Sequence, residues 1–152
     1  MRNRLRRLLP FVVGALAVLV VAIQFVPFGR PTENPPTRRE PNWNTPATRE
    51  IVARACFDCH SNQTKYPWYS YVAPVSWLVN KDINEARSKL NFSEWDLIQR
   101  GASDAVEVVK KGEMPLPIYL PLHPEARLSA DEMRTLIEGL DATIQADRPR
   151  RR

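Results

Sequence analysis

The chain has 152 residues, 43 % of them apolar, which suits one modest domain with flanking segments. Its net charge of +5 comes from the flanks, because residues 49–145 hold only 11 Lys and Arg against 14 Asp and Glu. A nucleic-acid-binding domain would carry a basic face on its folded part, so this distribution of charge argues against nucleic acid as a partner.

The N-terminal segment, residues 1–28, is first basic and then apolar. Four arginines precede a run from Leu8 to Phe28 that is apolar except for Gln24. As a helix this run would be about 31 Å long, close to the hydrocarbon thickness of a bilayer, and it would have no polar face. We therefore predict a transmembrane signal anchor with a cytoplasmic N-terminus. Small residues around Ala22 leave open a signal peptide that is removed.

A Pro-rich linker, residues 29–46, is expected to form a polar and extended tether. The folded domain is predicted at residues 47–145, and a basic tail at residues 146–152. Thr45 is the predicted N-cap of the first helix of the domain, with Pro46 at its first position.

The positions of the later helices are predicted from residues that typically begin or end a helix. Pro74 starts a helix that runs to about Lys89, and Gly112 stops a helix that begins at Ser103. Ser93 is predicted to cap a short helix between these two.

The last predicted helix has the clearest signature. Ser129 and Glu132 fit a capping box, and apolar residues then repeat at helical spacing up to Ile144. Residues 113–124 carry four prolines, and residues 61–73 are rich in aromatic residues, so both are predicted loops. Because no segment alternates with period two, the fold class is predicted to be all-α, with four to five short helices.

Cys56, Cys59 and His60 form a Cys-x-x-Cys-His motif that contains both cysteines of the chain. A zinc site usually takes a second ligand pair, which has no counterpart at the expected spacing. A thioredoxin-type dithiol follows a strand, and no strand is predicted before Cys56. Covalent haem attachment fits every element, because the two thiols add to the two haem vinyl groups and His60 ligates the iron. Such attachment occurs on the exported side of the bacterial membrane, where the N-terminal segment directs the domain.

A second axial ligand is sought among Met114, His123 and Met133. Met133 is in phase with the apolar face of the last helix and is expected in the core. Met114 lies in a Pro-rich loop just after a helix stop, where its side chain can reach the haem without competing for helix packing. Met114 is therefore the predicted distal ligand and His123 the less favoured alternative.

The chain over residues 48–142 resembles the bacterial haem-binding domain family related to class I cytochromes c. The resemblance rests on Cys-x-x-Cys-His-Ser-Asn, Tyr-Pro-Trp-Tyr, Pro-Val-Ser-Trp, Leu-Asn-Phe-Ser-x-Trp and Gly-x-Met-Pro. It implies a cytochrome-c-like helical fold around one covalently attached haem c. It also implies thioether bonds at Cys56 and Cys59, proximal iron ligation by His60 and distal ligation by Met114.

The expected function is that of a c-type monohaem electron carrier, not an enzyme, anchored in the bacterial inner membrane by a single span. Its haem domain would face the periplasm, or be soluble there if the N-terminal segment is cleaved, and would meet redox proteins that the sequence does not identify. Two alternatives stay open: a haem-based sensor or weak peroxidase with an open distal site, and a haem-free Cys-x-x-Cys thiol–disulfide oxidoreductase.

The side-chain chemistry of the tryptophans and of two basic residues predicts where they lie relative to the expected haem. The tryptophans Trp68, Trp77 and Trp95 are expected in the core or in the walls of the haem pocket. Arg87 and Lys89 are candidates for pairing with the haem propionates, although solvated surface charge is the default.

Overall fold

A computed structural model describes residues 2–29, 31 and 33–150, with side chains from residue 8 onward. The described residues contain no strand, only two isolated β-bridges, which confirms the all-α prediction. Two 3-10 turns join the helices. The elements are α1 Arg2–Ile23, α2 Pro46–Ala55, α3 Phe57–His60, the turn Trp68–Tyr71, α4 Val75–Lys89, α5 Ala105–Lys110, the turn Pro124–Ala126 and α6 Ala130–Ala146.

The chain divides into two compact units. Unit 1 comprises residues 1–32 and 66–81, and unit 2 comprises residues 33–65 and 82–152. The hydrophobic core belongs to unit 2, where α2, α5 and α6 bring their apolar faces together. Its most deeply buried members include Val52, Trp95 and Leu136, which are at most 1 % exposed.

The N-terminal helix α1 ends at Ile23, before the end of the apolar run at Phe28. The one polar residue of that run follows at once: Gln24 donates through Nε2 to the Ala73 carbonyl at 3.1 Å and accepts from the Ala73 amide at 3.0 Å. The structure does not support the predicted transmembrane helix. Within the described part of the chain, no helix is both long enough and apolar enough to cross a membrane.

The caps of α2 and α6 are as predicted. Thr45 accepts the Thr48 amide at 3.1 Å, and Ser129 and Glu132 exchange the two hydrogen bonds of a capping box. The two helices then pack closely at Gly139, where an added Cβ would lie 2.1 Å from Thr48 Oγ1. Glycine is required here because the Thr48 side chain occupies the space that a larger residue would need.

The helix predicted at Ser93 is absent, which corrects that prediction. Ser93 is fully buried in a series of turns, and its Oγ accepts the Asn62 amide at 2.9 Å. Serine favours turns as well as N-caps, because its hydroxyl bonds nearby backbone groups in either setting. The next helix, α5, begins at Ala105 instead of Ser103, with Asp104 at its N-cap.

The Pro-rich segment packs on unit 2 from Glu33 onward instead of standing apart as a tether. The amides of Arg38 and Arg39 donate to the Ser93 carbonyl at 2.9 and 3.1 Å. The ring of Trp43 lies 5.3 Å from that of Phe92, so this segment covers one side of the core.

Candidate functional site

The Cys-x-x-Cys-His motif occupies one tight helical turn at the end of α2. Cys56 caps α2, and its carbonyl accepts the amides of Cys59 at 3.2 Å and His60 at 2.8 Å. This turn brings Cys56, Cys59 and His60 to the wall of one cavity of about 300 Å³. That volume lies at the lower end of the range of small-molecule and cofactor sites.

The imidazole of His60 is oriented by a backbone carbonyl. Its Nδ1 lies 2.9 Å from the carbonyl oxygen of Leu90. A carbonyl only accepts, so Nδ1 carries the proton and Nε2 is left with the lone pair that ligates a metal. Burial lowers the pKa of His60, which favours this neutral form.

Met114 lines the same cavity and is brought there by the end of α5. Gly112 has a φ of +70°, in the left-handed region that glycine adopts without strain. The amide of Gly112 donates to Val109, and that of Glu113 donates to Val108, both at 3.0 Å, as in a Schellman motif. The chain therefore leaves the helix at a defined angle, and Met114 follows directly beside the motif.

The two other candidate ligands lie elsewhere. His123 is not among the residues that line the cavity: its ring stacks on Tyr119 with centroids 3.7 Å apart, and its Nδ1 lies 3.0 Å from Glu125 Oε1. Met133 packs against the hydrophobic core, as expected from its position on α6. The ligand assignments of His60, Met114 and His123 stay predictions.

The environment of the two cysteines does not favour reactive thiolates. Burial raises the pKa of Cys56 to about 12 and that of Cys59 to about 11, so both are neutral thiols near pH 7. Redox-active dithiols depend on a lowered thiol pKa. Among the described residues, no group of three or more His, Cys, Asp and Glu is arranged to hold a metal ion.

An aspartate and a tyrosine that the sequence interpretation missed connect the motif to residues 113–124, the segment that carries Met114 and is called the Met114 loop below. Asp58, between the cysteines, accepts the Tyr119 hydroxyl at 2.8 Å and the Lys65 amide at 2.9 Å. Burial, followed by the hydrogen bond to Asp58, raises the pKa of Tyr119, so the phenol keeps its proton. No spacing rule links residues so far apart, so no signal in the sequence marked this pair.

A buried polar network, also missed, holds the segment that follows the motif. The Phe92 amide donates to the His60 carbonyl, and the Asn91 side chain donates to Asn62 Oδ1, both at 2.8 Å. The Ser93 amide donates to Asn91 Oδ1 at 2.9 Å. A buried polar group that loses its partner costs free energy, so this network is held together. It restrains the His60 carbonyl through the Phe92 amide.

The two basic candidates differ in their surroundings. Lys89 lines the cavity and stays a candidate for an anionic group there. Arg87 is not in the cavity wall: it donates to the Ser61 carbonyl at 2.8 Å and to Thr64 Oγ1 at 2.9 Å. The role of Arg87 is therefore to hold the chain beyond the motif.

The tryptophan predictions are correct for one residue of three. Trp95 is 1 % exposed and belongs to the core. Trp77 is half-buried against Phe28 in unit 1, and Trp68 is 78 % exposed, which corrects its assignment to the core or the pocket wall. None of these tryptophans lines the cavity, where Tyr119 is the aromatic contact.

A larger cavity of about 490 Å³ lies elsewhere in unit 2, beside α5 and α6. Its walls include Arg100 and Arg148, but none of the cysteine, histidine and methionine residues considered above. Its size does not make it the functional site, because it lacks the donor set that the motif supplies.

The fold is helical, and the cavity of about 300 Å³ brings together two thiols, one imidazole and one thioether. The chain matches the model of the Haem-binding domain family over residues 18–142, most of its length, and it belongs to that family. This confirms the haem-binding domain family that the sequence motifs indicated. The search of curated proteins and the search of solved structures each returned no match.

Proposed function

We propose that the protein is a c-type monohaem electron carrier in which Cys56 and Cys59 form the thioether bonds. His60 and Met114 would supply the two protein ligands of the haem iron. The observation that carries this proposal is the cavity that all four side chains share. The haem supplies the one-electron chemistry of its iron when bound.

The residues of the cavity fit this group by their chemistry. Two neutral thiols, one imidazole with Nε2 unprotonated and one thioether meet there. Ala86, Pro115 and Leu116 make part of the wall apolar. Lys89 could pair with an anionic substituent, although Asp82 and Glu85 also line the cavity.

The chain contributes rigidity around the metal ligands. The Leu90 carbonyl and the buried asparagine network hold His60, and the Schellman turn together with Tyr119 holds the Met114 loop. Side chains restrained in this way would rearrange little when a bound haem gained or lost an electron. This favours electron transfer over the alternative of an open distal site. In this role the protein is a carrier and not an enzyme.

We further propose that α1 associates with a membrane and that the haem domain lies on the exported side. The arginine-rich start and the apolar run that follows support this orientation. Covalent haem attachment requires the same compartment. The electron donor and acceptor would then be redox proteins at or near the membrane surface.

Covalent attachment is tested by denaturing gel electrophoresis with haem staining, on protein made in cells competent in cytochrome c maturation. The wild-type band should stain, and the variant with Cys56→Ala and Cys59→Ala should not. An unstained wild-type band of full-length protein would contradict the proposal and favour the haem-free alternative.

Distal ligation is tested by Met114→Ala, with Met133→Leu as a matched control in the core. Met114→Ala should lose the weak long-wavelength absorption of oxidised His–Met iron, and its reduced form should bind carbon monoxide rapidly. Met133→Leu should behave as the wild type does. Rapid carbon monoxide binding by the wild-type protein would instead favour the sensor or peroxidase alternative.

A further inference from the structure

Unit 1 exposes an apolar surface that the proposed electron transfer does not use. Neither residues 8–29 nor residues 66–80 contain any Asp, Glu, Lys or Arg, although such residues make up 26 % of the chain. Surfaces in contact with water carry charged side chains of both signs. Two uncharged stretches in one compact unit therefore indicate a surface that faces something other than water.

The first stretch is exposed on every side. Ten large apolar side chains between Leu8 and Val21 are each at least 53 % exposed. Successive residues of a helix point 100° apart, so these side chains surround α1 instead of forming one stripe. A folded protein partner would cover one face of the helix, whereas acyl chains cover all of them.

The second stretch folds onto the end of the first. The side chain of Gln24 pairs with the backbone of Ala73, and the rings of Phe28 and Trp77 lie 6.3 Å apart. Residues 66–80 also carry a set of exposed side chains that we name the aromatic patch. Its members are Trp68 (78 % exposed), Tyr71 (63 %), Val72 (43 %), Val75 (43 %) and Leu78 (48 %).

We propose that the aromatic patch binds the boundary between headgroups and acyl chains of a phospholipid bilayer. It would be a second lipid contact beside α1, and the inference rests on the proposed membrane association of α1. Trp and Tyr favour this boundary because their rings are apolar and their N–H and O–H groups meet water. A specific protein interface would have a polar, charged rim, and residues 66–80 offer no charge to build one.

Photo-cross-linking of the haem-loaded, full-length chain in phosphatidylcholine and phosphatidylglycerol vesicles tests this contact. Benzoylphenylalanine is placed at position 68 or 71, at position 16 in α1, or at position 118 in unit 2. Leu16 is 55 % and Ile118 72 % exposed, so all these positions tolerate the probe. Lipid adducts at positions 68 and 71 should exceed those at position 118 by about tenfold, as expected if the patch side chains enter the bilayer boundary.

The outcomes separate this inference from the proposals on which it rests. Adducts at position 16 without adducts at positions 68 and 71 would leave α1 in the membrane and overturn the inference. Adducts between two copies of the chain through position 68 would overturn it in favour of self-association. If positions 16 and 68 both fail to label lipid, membrane association fails as a whole. Haem staining of the same samples shows independently whether haem attachment stands.

Discussion

Units 1 and 2 use apolar residues in opposite ways. Of the 22 most exposed large apolar side chains among the described residues, 18 lie in unit 1. The hydrophobic core cluster lies in unit 2. Among the residues of unit 1 that the structure describes, Ala73 is the one buried apolar residue. Hydrophobic composition alone therefore does not predict burial in this chain.

The difference shows that the two units do not depend equally on the burial of apolar surface. Unit 2 buries its apolar faces against one another and satisfies its polar groups through networks such as that of Asn62 and Asn91. It is stabilised by the removal of apolar surface from water. Unit 1 gains little from such burial, so substitutions in unit 1 should barely change the stability of unit 2. Four predictions test this contrast, from the largest expected effect to the smallest.

Leu136→Ala should cost about 2–5 kcal/mol of unfolding free energy, because it leaves a cavity at a fully buried position of α6. Leu16→Ala, at a 55 % exposed position of α1, should leave the unfolding of unit 2 unchanged. Denaturant unfolding of both variants, followed by haem absorbance, measures the difference. Equal losses from the two substitutions would break the contrast between the units.

Gly139→Ala should destabilise unit 2 by about 1–2 kcal/mol. Alanine favours a helix by about 1 kcal/mol over glycine, but here its Cβ would overlap the Thr48 side chain. Gly14→Ala in α1 meets nothing within 4 Å and should cost nothing. The same unfolding experiment applies. A Gly139→Ala variant as stable as the wild type would show that α2 and α6 are not in close contact there.

Tyr119→Phe should cost about 1 kcal/mol of stability, because the bond to the Asp58 carboxylate is lost. It should also speed carbon monoxide binding to the reduced protein, since this bond ties the Met114 loop to the motif. Tyr71→Phe, in the aromatic patch of unit 1, should change neither quantity. Stopped-flow mixing with carbon monoxide measures the rate, and an unchanged rate in Tyr119→Phe would mean that the loop is held by other contacts.

Glu40 should contribute a small pH-dependent stabilisation to unit 2. Hydrogen bonds from Arg49 hold the pKa of Glu40 below its ordinary value of 4.5, although burial opposes them. The unfolded chain therefore takes up the proton first as pH falls. The stabilisation is complete above the unfolded pKa and is lost as pH falls through the folded pKa.

Glu40→Gln should remove this contribution, about 0.5 kcal/mol because water screens the partly exposed pair. Unfolding at pH 7 and at pH 3 measures it, with the exposed Glu138→Gln as control. No titration of this kind arises from residues 8–29 or 66–80, which contain no carboxylate side chain. Identical pH profiles for the two variants would count against the Arg49 pair.

The predictions that the structure confirms depend on local chemistry. The caps at Thr45 and Ser129 and the stop at Gly112 involve residues only a few positions apart, so the sequence order already contains the interaction. Ser93 failed as a predicted cap because the same hydroxyl serves a buried turn equally well. The difference between a cap and a turn depends on Asn62, which is distant in the sequence.

The features of the candidate site also fall into two groups, those that the local sequence indicated and those that it did not. Cys56, Cys59 and His60 were recognisable from their spacing, and Met114 from its place after a helix stop. The bond between Asp58 and Tyr119 and the exposure of Trp68 had no local signal. Both depend on which distant segments of the chain come into contact, and the periodicity of a sequence does not predict such contacts.

The sequence by itself determined the helical class, the Cys-x-x-Cys-His motif and the family, because short-range spacing and residue type carry that information. Only the tertiary structure decided that Met114 and His60 share one cavity while His123 stacks on Tyr119. It alone revealed that the Pro-rich segment covers the core and that the tryptophans divide between core and surface. Burial and long-range hydrogen bonds arise only when remote parts of the chain compete for the same space.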